Sequence, residues 1–266
     1  MTTQTTLIIG GTSGVGKKTA LDFKQAGYSV YIVGSNQART DKIVAENNFA
    51  GGFGIDLSEK ASAQAVKNWL IDQKITLDVL VITTGVMNKT LKLNSTNQDA
   101  NLVLNLMTYH WLLQSLAPLI HKDILMVGAA PLLVKTLKAK LPNLQTPSAE
   151  KYKSMSVVSA ALSGKILLAK YWSNQLQTRN VRVNVFHPGA VLDSNLESEA
   201  GPLTKLFLDL LIKTQPQNPD VALKISQANK NYTGQHLDAK GEPIKLHRSF
   251  ELANAEKLVN KLNQIS

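Results

Sequence analysis

One short segment limits the fold more than any other: Gly10-Gly11-Thr12-Ser13-Gly14-Val15-Gly16, between the apolar run Leu7-Ile8-Ile9 and a helix-like stretch ending at Gly27. Each spaced glycine has a physical task. Gly10 permits a tight turn, Gly14 lets the backbone approach a pyrophosphate, and Gly16 lets a helix pack close to a sheet. The free amides and positive dipole end of that helix then face phosphate charge. Thr12, Ser13 and Val15 complete the candidate cradle, with the two hydroxyls as phosphate ligands rather than nucleophiles.

Beyond this turn, strand-like and helix-like segments alternate, which predicts a parallel sheet with helices on both faces. Strands are expected at Leu7–Ile9, Val30–Val33, Gly51–Gly54, Leu77–Ile82, Ile124–Val127, Val181–Phe186 and Gly234–Leu237. Helices are expected at Gly14–Ala26, Ala38–Glu46, Glu59–Asp72, Asn97–Ile120, Ser156–Thr178, Pro219–Lys230 and Phe250–Gln264. The stretch from 128 to 153 reads as a loop. Leu203–Ile212 is amphipathic, with Leu203, Leu206, Phe207, Leu210 and Leu211 at helical spacing. No repeat or linker divides the 266 residues. The expectation is one α/β domain over 1–266, a doubly wound Rossmann fold with a lid-like insertion around 190–215.

Composition removes several function classes. Without Cys, disulfide scaffolds, thiol nucleophiles and thiolate metal sites are excluded, and a cytoplasmic location is compatible. No apolar stretch is long enough to span a bilayer. The five His residues show no metal-binding spacing. The net charge of +10 comes mostly from scattered Lys, without an aromatic-plus-basic motif, so no nucleic-acid partner is expected. Lys135, Lys138, Lys140, Lys151 and Lys153 form one local excess, read as a bland surface loop.

The end of the second strand bears on cofactor choice. An acid there would hydrogen-bond a ribose diol and favour NAD. Gly34-Ser35-Asn36 offers none, and Lys17 and Arg39 are nearby cations, so NADP(H) is preferred over NAD(H). Asp56 is expected to accept from an adenine amino group while Leu57 packs on the ring. The expected partners are a dinucleotide and a small-molecule ligand of unknown identity.

The chain resembles the short-chain dehydrogenase/reductase family, most closely its retinol-dehydrogenase-like branch. The resemblance rests on Gly10-x-x-x-Gly14-x-Gly16, Asp56-Leu57, Leu77–Val81 with Gly85-Val86-Met87, Asn105, Val181–Gly189, Thr233-Gly234-Gln235 and Phe250-Glu251-Leu252. It implies a Rossmann fold, an oxidoreductase whose cofactor carries the hydride, and a homodimer through the two long helices. It also implies Thr84, Gly85, Pro188 and Gly189 as cofactor contacts and Asn105 as the holder of a relay water. The family's proton chemistry uses a Tyr, a Lys one turn later, and a Ser on the fifth strand.

Those three positions depart from the pattern. Counting back from Pro188 places Val158 at the Tyr and Leu162 at the Lys. Ala129 stands at the Ser, and Ile82-Thr83-Thr84-Gly85 replaces the family's Asn-Asn-Ala-Gly. Tyr152 is followed four residues later by Ser156 rather than Lys, and reads as structural. Three readings stay open. One is a nucleotide-responsive binding protein without the standard chemistry. Another is an oxidoreductase using relocated groups, Tyr109, Tyr152 and Lys165, or needing no protein proton donor. The last is a partner-binding module with an idle nucleotide site.

Overall fold

The computed structural model describes residues 3–189 and 220–264. The strands are β1 (Thr5–Ile9), β2 (Ser29–Gly34), β3 (Gly51–Gly54), β4 (Leu77–Ile82), β5 (Ile120–Val127), β6 (Arg182–Phe186) and β7 (His236–Leu237). They form a seven-stranded sheet in the order β3-β2-β1-β4-β5-β6-β7, parallel throughout. This is the doubly wound order, whose reversal beside β1 opens a crevice at the strand carboxyl ends. The expected Rossmann fold is therefore present.

The helices are α1 (Gly14–Gln25), α2 (Gln37–Asn47), α3 (Lys60–Asp72), α4 (Ala100–Leu102), α5 (Thr108–Leu116), α6 (Pro131–Thr136), α7 (Ser154–Gln175), α8 (Val221–Gln227) and α9 (Leu252–Asn263). A π turn at Val103–Met107 joins α4 to α5 in one rod. Alternation along each strand divides the core between the two faces. Leu7, Ile9, Leu80, Ile82, Ile124, Met126, Val183 and Val185 pack toward α3, α5, α7 and α9. Ile8, Val30, Ile32, Val79, Val81 and Leu125 pack toward α1, α2 and α8.

Three expectations need correction. The first long helix is shorter than Asn97–Ile120. It begins after Asp99, whose side chain accepts from Asn101 N at 2.9 Å, while Asn97 adopts φ +58°. It ends at Leu116, before a 3-10 turn that contains Pro118, which has no amide proton to donate. β5 starts at Ile120 rather than Ile124, because its polar segment is paired instead of solvated. Asp123 there is fully buried and holds Arg182 of β6 at 2.7 and 2.8 Å. The stretch after β5 is not all loop either: Pro131 opens α6, and Ala149–Lys151 makes a 3-10 turn. The amphipathic Leu203–Ile212 and the lid-like 190–215 lie outside the described residues.

Arg182 does more than pair with Asp123. Its guanidinium also donates to the carbonyls of Ile225, Ser226, Ala228 and Lys230, so it caps the end of α8 and the chain beyond. Removing it strands a buried carboxylate and several carbonyls. Arg182→Met is expected to cost about 3–5 kcal/mol of unfolding free energy, measured by urea denaturation. Arg182→Met combined with Asp123→Leu is expected to recover part of that loss.

Candidate functional site

The site starts from the turn between β1 and α1. Gly10 and Gly11 donate their amides to Val33 O at 2.8 and 3.1 Å, which ties the turn to β2. Gly10 has φ +85°, a left-handed conformation that favours glycine. A Cβ on Gly16 would stand 2.1 Å from the Gly10 carbonyl oxygen, so only glycine lets α1 sit this close. Thr83 closes the clasp from β4, donating its hydroxyl to Ile9 O at 2.8 Å. The N-cap Ser13 makes no side-chain bond to the helix amides, and the first turn of α1 carries no acid. Its free amide donors are available to an anion.

A cleft of about 450 Å³ opens above this turn, at the carboxyl ends of β1, β2 and β4. Of the sequence-derived candidates, Gly10, Thr12, Ser13, Gly14, Val15, Gly16, Ser35, Asp56, Leu57, Thr84 and Gly85 line it. Asn36, Arg39, Pro188 and Gly189 are not among its described lining residues. Asn36 instead caps α2, its side-chain oxygen accepting from Arg39 N at 2.9 Å. Arg39 is exposed on the first turn of that helix. One Asp56 carboxylate oxygen is occupied by Ser58 N at 2.9 Å. Residue-by-residue reading missed Thr83 and Asn88, which also line the cleft. Thr83 lies in the Ile82–Gly85 segment already read as a departure from the family pattern, whereas nothing in the local sequence marks Asn88; they arrive through the strand register and a loop.

Asn105 lies within the π turn. Its side-chain nitrogen donates to Asn101 O at 2.8 Å and to Val86 O at 2.7 Å. A side chain that takes a helix carbonyl in this way displaces the regular ladder, which accounts for the local π geometry. It also fixes Asn105 beside Gly85, where a Cβ would meet its Oδ1 at 2.5 Å.

The relocated candidates fall into two separate groups. Tyr152 OH accepts from Asn101 Nδ2 at 2.5 Å and donates to Asp99 at 3.2 Å. Burial and the adjacent Asp99 carboxylate raise its hydroxyl pKa to about 12. Asn101 in turn donates to Asn88 O at 2.8 Å, so Tyr152 is linked to the cleft wall. Tyr109 is fully buried and donates to Thr84 O at 2.6 Å; burial pushes its hydroxyl further from ionisation. Lys165 belongs with Tyr109. Its ammonium stands 4.0 Å from the Tyr109 ring centroid and donates to Val127 O at 3.2 Å. His236 is also nearby, held to Ala129 O at 3.0 Å, with its pKa pushed down to about 4, mainly by burial.

Among the described residues Lys165 joins no ion pair, and burial pushes it down to about 7. Between about 7 and 10.5 the unfolded chain binds a proton that the folded chain lacks, so unfolding free energy rises with pH across that window. Lys165→Met is expected to flatten this rise. The check is urea unfolding of both proteins at about pH 7 and about pH 10.

Comparison with known proteins agrees with this architecture. The family model for short chain dehydrogenases matches residues 4–202. The chain is 24% identical over 280 residues to Dehydrogenase/reductase SDR family member 12 of Homo sapiens, covering 98% of this chain and 85% of that protein. It is 24% identical over 196 residues to the 3-oxoacyl-acyl-carrier-protein reductase FabG of Thermotoga maritima, covering 70% of this chain and 73% of that protein. Among solved structures, a short chain dehydrogenase from Burkholderia cenocepacia in complex with NADP superimposes with a TM-score of 0.70 at 19% identity, covering 90% of this chain and 97% of that chain. With the family model spanning most of its length, the chain belongs to the short chain dehydrogenase family.

Proposed function

We propose that this protein binds a nicotinamide dinucleotide, NADP(H) ahead of NAD(H), and lacks the family's usual proton-transfer set. It would act as a nucleotide-responsive binding protein or a weak, atypical oxidoreductase. The observation that carries the reading is the cleft itself: glycine turn, uncapped amides of α1, and no acid in that helix's first turn. Gly10, Thr12, Ser13, Gly14, Val15 and Gly16 would hold the pyrophosphate, and Asp56 and Leu57 the adenine. At the end of β2, Ser35 lines the cleft where a carboxylate would repel a 2′-phosphate, and Arg39 stands exposed on α2. Similar folds are found in complex with NADP and with NADH, so the preference rests on Ser35 and Arg39.

A bound dinucleotide supplies the hydride, and the protein's share is orientation and proton transfer. Ala129, Val158 and Leu162 supply no proton. Losing general acid–base help costs about 10²–10⁴-fold in rate. A second reading, an active oxidoreductase with relocated groups, is favoured by the contact between Lys165 and Tyr109. Against it, the Tyr109 hydroxyl is committed to Thr84 O, and neither residue lines the described cleft. The family analogy adds a cytoplasmic homodimer to the proposal. On the α5–α7 face, α9 of the same chain already packs: Asn263 accepts from His110 at 2.9 Å and from Gln114 at 2.8 Å.

Calorimetric titration is expected to show NADPH binding more tightly than NADH. Ser35→Asp is expected to weaken NADPH by about tenfold or more and narrow or invert the preference, and Arg39→Ala to act in the same direction. Binding of neither nucleotide would overturn the reading in favour of a partner-binding module. Carbonyl reduction at the rate of a competent family member would overturn the loss of chemistry. If such activity is found, its loss in Tyr109→Phe, Tyr152→Phe or Lys165→Ala would establish the second reading.

A further inference from the structure

Six large apolar side chains are exposed among the described residues: Ile71, Leu93, Leu132, Leu133, Leu141 and Met155. Four of these fall within residues 131–155. Leu132 is 61% exposed and Met155 57%, values that leave most of each side chain in water. The same stretch carries Lys135, Lys138, Lys140, Lys151 and Lys153, all exposed, and a single acid, Glu150. None of these lysines forms an ion pair among the described residues.

The backbone here is held, so the exposure is built in. Ser163 of α7 donates to Lys138 O at 3.1 Å and accepts from Lys140 N at 3.3 Å. Ser249 accepts from Ala139 N at 2.8 Å, and Lys261 of α9 donates to Pro142 O at 2.8 Å. Val134, Pro142 and Leu144 are buried as anchors, while Lys138, Lys140 and Leu141 face outward. α6 begins just past the carboxyl end of β5. α7 runs back toward the start of β6, so its first turn, with Met155, lies at that same end of the sheet, as does the cleft.

We propose that residues 131–155 form a docking surface for an anionic lipid bilayer. Unpaired cations are drawn to the negative surface potential of such a membrane, and exposed Leu and Met side chains enter the headgroup boundary. Cations alone would suit any polyanion. The interspersed leucines and methionine select a surface with an apolar layer beneath its charge. No helix among the described residues is long and apolar enough to cross a membrane, so the contact is peripheral.

The test is co-sedimentation of the whole protein with phosphatidylcholine vesicles, with and without about 30% phosphatidylserine, at low and high salt. The protein is expected to pellet with the anionic vesicles only, and less as salt rises. Lys135→Gln, Lys138→Gln and Lys140→Gln are each expected to weaken binding about fivefold. Leu132→Ser with Met155→Ser is expected to weaken it as well, with the thermal midpoint retained because both side chains are more than half exposed. Absence of binding to anionic vesicles, equal binding to neutral ones, or unchanged binding by either variant set overturns the proposal. So does retention by nucleic acid or polyglutamate without vesicle binding.

Discussion

Everything at the candidate site depends on how closely α1 approaches the end of β1. The missing side chain of Gly16 lets the helix meet the Gly10 carbonyl, and Thr83 holds that carbonyl end of β1 to β4. A methyl group at either glycine would collide with this clasp, moving the helix away from the sheet. The cleft would then lose its floor, and the free amides of α1 would no longer point into it. A packing constraint of under one side chain thus sets an electrostatic property, the positive end of a helix aimed at a cavity.

Around that floor, polar groups are buried with unequal provision. Asp123 and Arg182 are matched in geometry and surrounded by further acceptors. Asn101 and Asn105 satisfy one another's neighbours and hold the loop that forms one wall of the cleft. Lys165 is provided for less fully, a buried amine facing one carbonyl and the face of a tyrosine ring. Such a group is tolerated by becoming neutral at modest cost in pH range. Its bond to the Val127 carbonyl sets that amine inside the core at the end of β5, two residues before Ala129, and away from the described cleft lining.

Features carried by local pattern were legible in the sequence. The glycine turn, Asp56-Leu57 and Ser35 each lie at a strand end, and a strand end can be read from the apolar run before it. The residues that were not legible act across distance. Thr83 matters because β4 is the neighbour of β1, a fact of sheet order. Asn88 and Tyr152 are brought together by Asn101, from segments far apart in the chain. The overlong helix expected at Asn97–Ile120 failed for a related reason: its true start depends on the Asp99 cap, and polar His121-Lys122-Asp123 hid a strand that a salt bridge makes possible. The exposed leucines of α6 were missed because a six-residue helix leaves almost no periodic signal.

The packing of α9 bears on the order in which the molecule can be completed. His110 in α5 meets Asn263 across 153 residues of sequence. A chain emerging from the ribosome amino end first can assemble β1 to β4 and the glycine turn early, since those contacts are comparatively local. The outer side of α5 and α7 must wait until residues 252–263 have been made. Until then the buried leucines of these helices, and Leu258 and Leu262 that will cover them, lack their partners. The half that carries the glycine turn can thus mature early in synthesis, whereas the face beside the expected catalytic positions closes only once residues 252–263 have been made.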